Sequence, residues 1–77
     1  MIYRENIAVF LSVHAKTQAD IRGITSDMIE ATIKSGKIRK FGKNFIKFES
    51  NYKLGKIICI GEKKTENCIK ILTVEWG

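Results

Sequence analysis

The sequence predicts an α+β domain, with two short helices packed on one face of an antiparallel sheet. The order is β-α-α-β-β-β, with space for one more short strand. Three observations lead there. Ser12 to Gly36 is punctuated as two helices meeting at a glycine corner. After Gly36 the apolar residues stop recurring at helical spacing and begin to alternate, as in strands. A chain of 77 residues can build only one core of useful size, so residues 1–77 form a single domain.

Taken in order, Met1 to Asn6 is a polar start with no element assigned. Ile7 to Val13 is β-rich, with apolar residues at Ile7, Val9 and Leu11, and reads as a strand running straight into the first helix. Ser12 is the N-cap of that helix, which covers roughly Val13 to Arg22, because its hydroxyl accepts from an orphan backbone N–H. Gly23 supplies the left-handed residue that closes it. Thr25 caps the second helix, Ser26 to Ser35, with Ile24 folding back on Ile29 as a hydrophobic staple. Asp27 and Glu30 near its start and Lys34 near its end oppose the helix dipole, and Gly36 ends it.

The later half reads as a meander. Lys37 to Phe41 is a short strand or edge, Gly42-Lys43 a turn, Asn44 to Glu49 a strand, and Ser50 to Lys53 a second turn. Leu54 to Gly61 and Asn67 to Trp76 are the strongest strands, joined by a charged loop from Glu62 to Glu66. Alternation places Leu72, Val74 and Trp76 against the helices, with Ile71, Thr73 and Glu75 on the opposite face. Ile58, Ile60, Ile69 and Ile71 make that second face apolar, and no third helix is available to cover it. With the hairpin centred between Lys63 and Lys64, Cys59 and Cys68 sit opposite one another as buried thiols.

Composition narrows the function. Hydrophobic content of 44% argues for a folded domain. No apolar run is long enough to span a membrane, and Ile7 to Val13 is too short for a signal peptide. Two cysteines make no disulfide framework, so a reducing, cytoplasmic setting is expected. The net charge of +6 favours a polyanion or an acidic protein as partner. Phosphate-binding loops, dinucleotide fingerprints and paired metal-ligand spacings are absent, so neither cofactor nor metal is expected.

Two groups of residues carry chemistry. His14, Gln18 and Arg22 fall at i, i+4 and i+8, one stripe on the first helix. An imidazole that moves a proton and a guanidinium that holds a phosphate suffice to handle a phosphodiester. The plainer reading has His14 bonded to a neighbouring strand and Arg22 as a solvated or salt-bridged corner. The second group is the basic run Lys34, Lys37, Arg39, Lys40, Lys43, Lys47, Lys53 and Lys56, opposed only by Glu49. Phe41, Phe45, Phe48 and Tyr52 interleave with it, and lysines with exposed aromatics suit RNA. Equally, lysines blunt sheet edges and aromatics fill cores; Ile46 and Phe48 should face inward.

His14-Ala15, the corner Arg22-Gly23-Ile24-Thr25, the helix ending in Gly36 and the closing Leu72-Thr73-Val74-Glu75-Trp76 resemble a small family of microbial domains. That family looks related to the BrnT and RelE ribonuclease toxins and the wider barnase/EndoU/colicin/RelE-type fold. Gln18 stands where many members carry arginine. The resemblance implies a toxin or effector domain that binds RNA, such as tRNA or mRNA, and cleaves it without metal. The products would carry a 2′,3′-cyclic phosphate. His14 would be general base or acid, Arg22 and Lys47 would stabilise charge, and Thr73 or Glu75 would orient the phosphate or share the proton work. Gln18, Lys37, Arg39, Lys40 and Lys43 would bind RNA. The protein would act in the cytoplasm, alone or within a larger effector, held by an acidic antitoxin or immunity protein or as a homodimer. The competing reading is a non-enzymatic adaptor or inhibitor that binds a protein through its basic, partly apolar sheet face.

Overall fold

Local capping chemistry sets both helices. Ala15 N donates to Ser12 Oγ at 3.0 Å, starting α1 (Val13–Ile21). Met28 N donates to Thr25 Oγ1 at 3.2 Å, starting α2 (Ser26–Ser35). Between them Gly23 takes φ +70°, a left-handed conformation that costs a glycine nothing. The computed structural model describes residues 1–77, and around this pair it builds a mixed α+β fold.

Six strands make one sheet: β1 (Ile2–Arg4), β2 (Ile7–Leu11), β3 (Lys37–Phe41), β4 (Phe45–Tyr52), β5 (Gly55–Thr65) and β6 (Cys68–Trp76). Their order across the sheet is β1-β2-β6-β5-β4-β3. The strands β6 to β3 form the expected meander, but the sheet is not wholly antiparallel, because β2 pairs parallel with β6. The start of the chain is also structured. Glu5, at φ +55°, turns β1 back onto β2, so that Ile2 lies opposite Val9. This hairpin covers the edge that β6 would otherwise expose, and brings Ile7, Val9 and Leu11 to the helix side. Arg4 fastens it by donating from Nη1 to the carbonyls of Gly36 (2.7 Å) and Ile33 (3.1 Å) at the end of α2.

Both helices lie on one face. Ala15 and Ala19 of α1, Ile24 of the corner, and Ile29 and Ile33 of α2 are buried against Val9, Ile46, Phe48, Ile57, Cys59, Ile69, Ile71 and Val74. The small side chains of α1 let it lie close to β6. Ile24 and Ile29 share this core, as a staple requires. The helix–strand junction is tighter still at Gly36, where an added Cβ would stand 2.6 Å from the Glu49 carbonyl.

The sheet departs from the expected strands in three places. β4 runs on to Tyr52, because Ser50, Asn51 and Tyr52 pair with Ile57, Lys56 and Gly55; the expected turn there is strand. β5 likewise runs through the expected charged loop to Thr65, leaving only Glu66 and Asn67 to turn. That shift moves the cysteines apart: Cys59 pairs with Val74 and Cys68 with Thr65, and both are free thiols. Cys59 is fully buried and its thiol is pushed up to about 12 by desolvation; Cys68 is half-buried rather than buried. Finally, Ile60 pairs with Thr73 but Gly61 with Ile71, so Leu72 bulges out of the ladder. The bulge puts Ile71, not Leu72, in the core with Val74, and leaves Leu72 half-buried. Trp76 packs on the core edge, as expected.

Candidate nucleic-acid interface

Alternation along each strand fixes which side chains face away from the helices. On β4 these are Phe45, Lys47, Glu49 and Asn51, between the inward Ile46 and Phe48. Cross-strand pairing then assembles rungs over the uncovered face. One rung reads Lys37, Glu49, Ile58 and Glu75 across β3, β4, β5 and β6; the next reads Arg39, Lys47, Ile60 and Thr73. A third reads Phe41, Phe45, Glu62 and Lys70, and continues to Phe10 on β2. Four strands at ordinary spacing make this platform about 14 Å wide. Phe41 and Phe45 stack at its hairpin end, with centroids 5.6 Å apart, and remain 44% and 38% exposed. Of the four isoleucines expected on this face, only Ile58 and Ile60 lie there, half-buried; Ile69 and Ile71 are in the core.

Glu49 is the organising charge. Its side chain is only 9% exposed although no element lies over it. Arg39 Nε donates to Oε1 at 2.8 Å, while Lys47 and Lys56 stand 3.8 and 3.9 Å from Oε2. The hydrogen bond from Arg39, reinforced by the charges of Lys56, Arg39 and Lys47, holds the carboxyl below its ordinary value against the opposing effect of burial. Beside it opens the largest groove of the molecule, about 650 Å3, lined by Ser35, Gly36, Lys37, Arg39, Glu49, Ser50, Asn51, Tyr52 and Lys56.

The helix stripe does something different. Arg22 Nη1 donates to the Val74 carbonyl at 2.8 Å, and Trp76 Nε1 donates back to the Arg22 carbonyl at 2.8 Å. Beyond Ile71, β6 has no strand partner on the β2 side, so Arg22 satisfies an edge carbonyl that the ladder leaves over. His14 is exposed and makes no side-chain hydrogen bond, two residues after Ser12, whose N–H donates to Ile71 O. Gln18 Oε1 is buried without a partner.

The structure therefore gathers Lys37, Arg39, Lys47, Thr73 and Glu75 on one face, and leaves His14 and Gln18 on α1, with Arg22 at its C-cap, beside β6. Lys40 pairs with the inward-facing Ile46 and so points to the other side of the sheet, where it lines a smaller pocket with Lys43 and Lys63. Phe10, Lys70 and the central role of Glu49 escaped the reading by residue type. The parity of Lys47 and Glu49 on one strand was the available signal for Glu49, whereas Phe10 depends on the parallel pairing. No three His, Cys, Asp or Glu side chains cluster closely enough to hold a metal ion, and no helix is long and apolar enough to cross a membrane. No family model, curated protein or solved structure matches this chain.

Proposed function

We propose that this domain, of the RelE/BrnT type, binds single-stranded RNA across the open face of its sheet. One observation carries the reading: strand pairing places Lys37, Arg39, Lys47, Lys56 and Lys70 on the same uncovered surface as Phe10, Phe41 and Phe45. Cations at strand spacing track phosphates, and aromatic rings at the hairpin end offer faces on which bases stack. Ile58 and Ile60 supply an apolar floor between them. Cleavage belongs to the β6 edge of that surface, where α1 on the helix side adjoins the strand that carries Thr73 and Glu75. Glu75 takes the proton of the ribose 2′-OH as its oxygen attacks the adjacent phosphate. Lys47 and Thr73, two strands apart on one rung, face the charge that develops there. His14, beside the β6 edge, returns a proton to the departing 5′ oxygen, and a 2′,3′-cyclic phosphate remains.

The test is incubation of the protein with a labelled oligoribonucleotide in excess chelator, beside the Lys47→Glu and His14→Ala variants. Binding that Lys47→Glu weakens tenfold or more supports the platform, and equal binding by wild type and Lys47→Glu overturns it. Cyclic-phosphate ends that vanish in His14→Ala support cleavage. Intact RNA leaves a binding domain without it.

A further inference from the structure

The groove beside Glu49 has a charge balance of its own. Its lining holds three cations, Lys37, Arg39 and Lys56, against the single carboxylate of Glu49, an excess of two positive charges. Arg39 is committed to that carboxylate through Nε at 2.8 Å. Lys56, at 3.9 Å, is beyond hydrogen-bond range of it, and Lys37 has no acidic partner within 4 Å. Both ammonium groups line the groove and therefore keep donors free for a ligand. Glu49 is too buried to act as an exposed acceptor, and instead draws the cations in from three strands: β3, β4 and β5. Ser35, Ser50 and Asn51 add neutral donors, and Tyr52 is the one hydrophobic residue of the lining. The volume of about 650 Å3 exceeds what a bare phosphate fills and lies in the range of small-molecule sites.

We infer that this groove takes a phosphate monoester, on a nucleotide or at a phosphorylated end of an RNA strand. A monoester near neutral pH carries close to two negative charges and three acceptor oxygens, which matches the excess charge and the donors. A bridging phosphodiester carries one charge and would leave a cation over. The free-nucleotide form of this inference stands by itself; the RNA-end form rests on the reading above.

The experiment compares the binding of AMP with adenosine. It also compares a hexauridylate carrying a 5′-phosphate or a 3′-phosphate with the same oligomer bearing hydroxyl ends. All are measured at one salt concentration, by chemical-shift titration. Expected is a preference of about tenfold or more for at least one phosphorylated form over its hydroxyl counterpart. That preference should be lost in Lys37→Gln/Lys56→Gln and kept in Lys40→Gln, which lies on the other side of the sheet. It should also shrink between pH 7 and pH 5, as the monoester takes up its second proton near a pKa of about 6. AMP favoured over adenosine, with equal hexamers, assigns the groove to free nucleotides. Phosphorylated hexamers favoured, with AMP no better than adenosine, assigns it to RNA ends. The inference is overturned if neither pair shows a preference, or if the preference survives Lys37→Gln/Lys56→Gln. RNA that binds well without regard to its ends, with AMP no better than adenosine, would sink the inference and leave the platform standing. A preference for AMP without any RNA binding would do the reverse.

Discussion

Two side chains at the ends of the molecule's polar wiring have separable effects. Glu49 is ionised more readily in the folded chain than in the unfolded one, because Arg39 donates to it and Lys47 and Lys56 stand close. A carboxylate with a lowered folded pKa adds stability above its unfolded value, here 4.5, and loses it as pH falls through the folded value. Glu49→Gln should therefore lower the urea midpoint at pH 7. The gap from wild type should close as the pH drops below 4.5. A gap that persists unchanged to pH 2 would show that packing, not charge, explains the loss. Arg22 makes the opposite kind of contribution. Its guanidinium satisfies the Val74 carbonyl, so Arg22→Ala should cost about 1–3 kcal/mol at any pH where the protein folds, read from urea unfolding. The spacing of His14 and Arg22 is visible in the sequence, but this bond is not. It depends on β2 ending at Leu11 while β6 runs on, which no local pattern records.

Among the elements, the helices were legible and the ends of the strands were not. Caps act over three residues, so Ser12, Thr25, Gly23 and Gly36 could be read directly. Strand ends depend on partners. Ser50 and Asn51 look like turn formers, yet both are paired in β4, and the charges from Glu62 to Thr65 look like a loop, yet they extend β5. The N-terminal hairpin turns on Glu5 at φ +55°, a residue with little preference for that conformation, and its place beside β6 is non-local. The bulge at Leu72 is the sharpest case, since strict alternation assigns Leu72 to the core and the bulge hands that place to Ile71. Ile71→Ala should accordingly cost about 2–5 kcal/mol, as a fully buried isoleucine does, and Leu72→Ala clearly less. Equal losses in thermal or urea unfolding would argue that no bulge forms. Gly36→Ala tests the junction between α2 and β4. Its backbone sits at φ −71°, so strain is not the issue, but the new methyl meets the backbone carbonyls of Thr32 and Glu49, neither of which can swing aside. A loss larger than that of the exposed Ala31→Gly, about 1 kcal/mol, is expected.

At the scale of the whole molecule, the question is whether the charge of +6 acts as a diffuse cloud or as a surface. Fourteen basic residues distribute over both sides of the sheet. Lys47 and Lys70 sit on the open face, while Lys40 and Lys43 gather around a pocket on the other side. By sequence alone Lys43 and Lys47 look interchangeable; the pairing separates them. Binding to single-stranded RNA weakens with salt in proportion to the phosphates neutralised, with a slope in log–log form of about −0.7 for each. If the open face is the platform, Lys47→Gln/Lys70→Gln should flatten that slope by about 1.4, whereas Lys40→Gln/Lys43→Gln should leave it nearly unchanged. Both double variants remove the same formal charge, so a diffuse cloud would change the slope equally in the two. The comparison is best made with an octanucleotide, titrated from about 50 to 200 mM salt, because a long RNA could wrap both faces. Equal flattening would remove the platform as an interpretation. A slope near zero in the wild type would turn attention to Ile58, Ile60, Phe41 and Phe45 as an apolar surface for a protein partner. Aromatic stacking can be read in the same titration. Phe45→Ala should weaken binding by about 1–3 kcal/mol without altering the slope, since a stacked base releases no counterion.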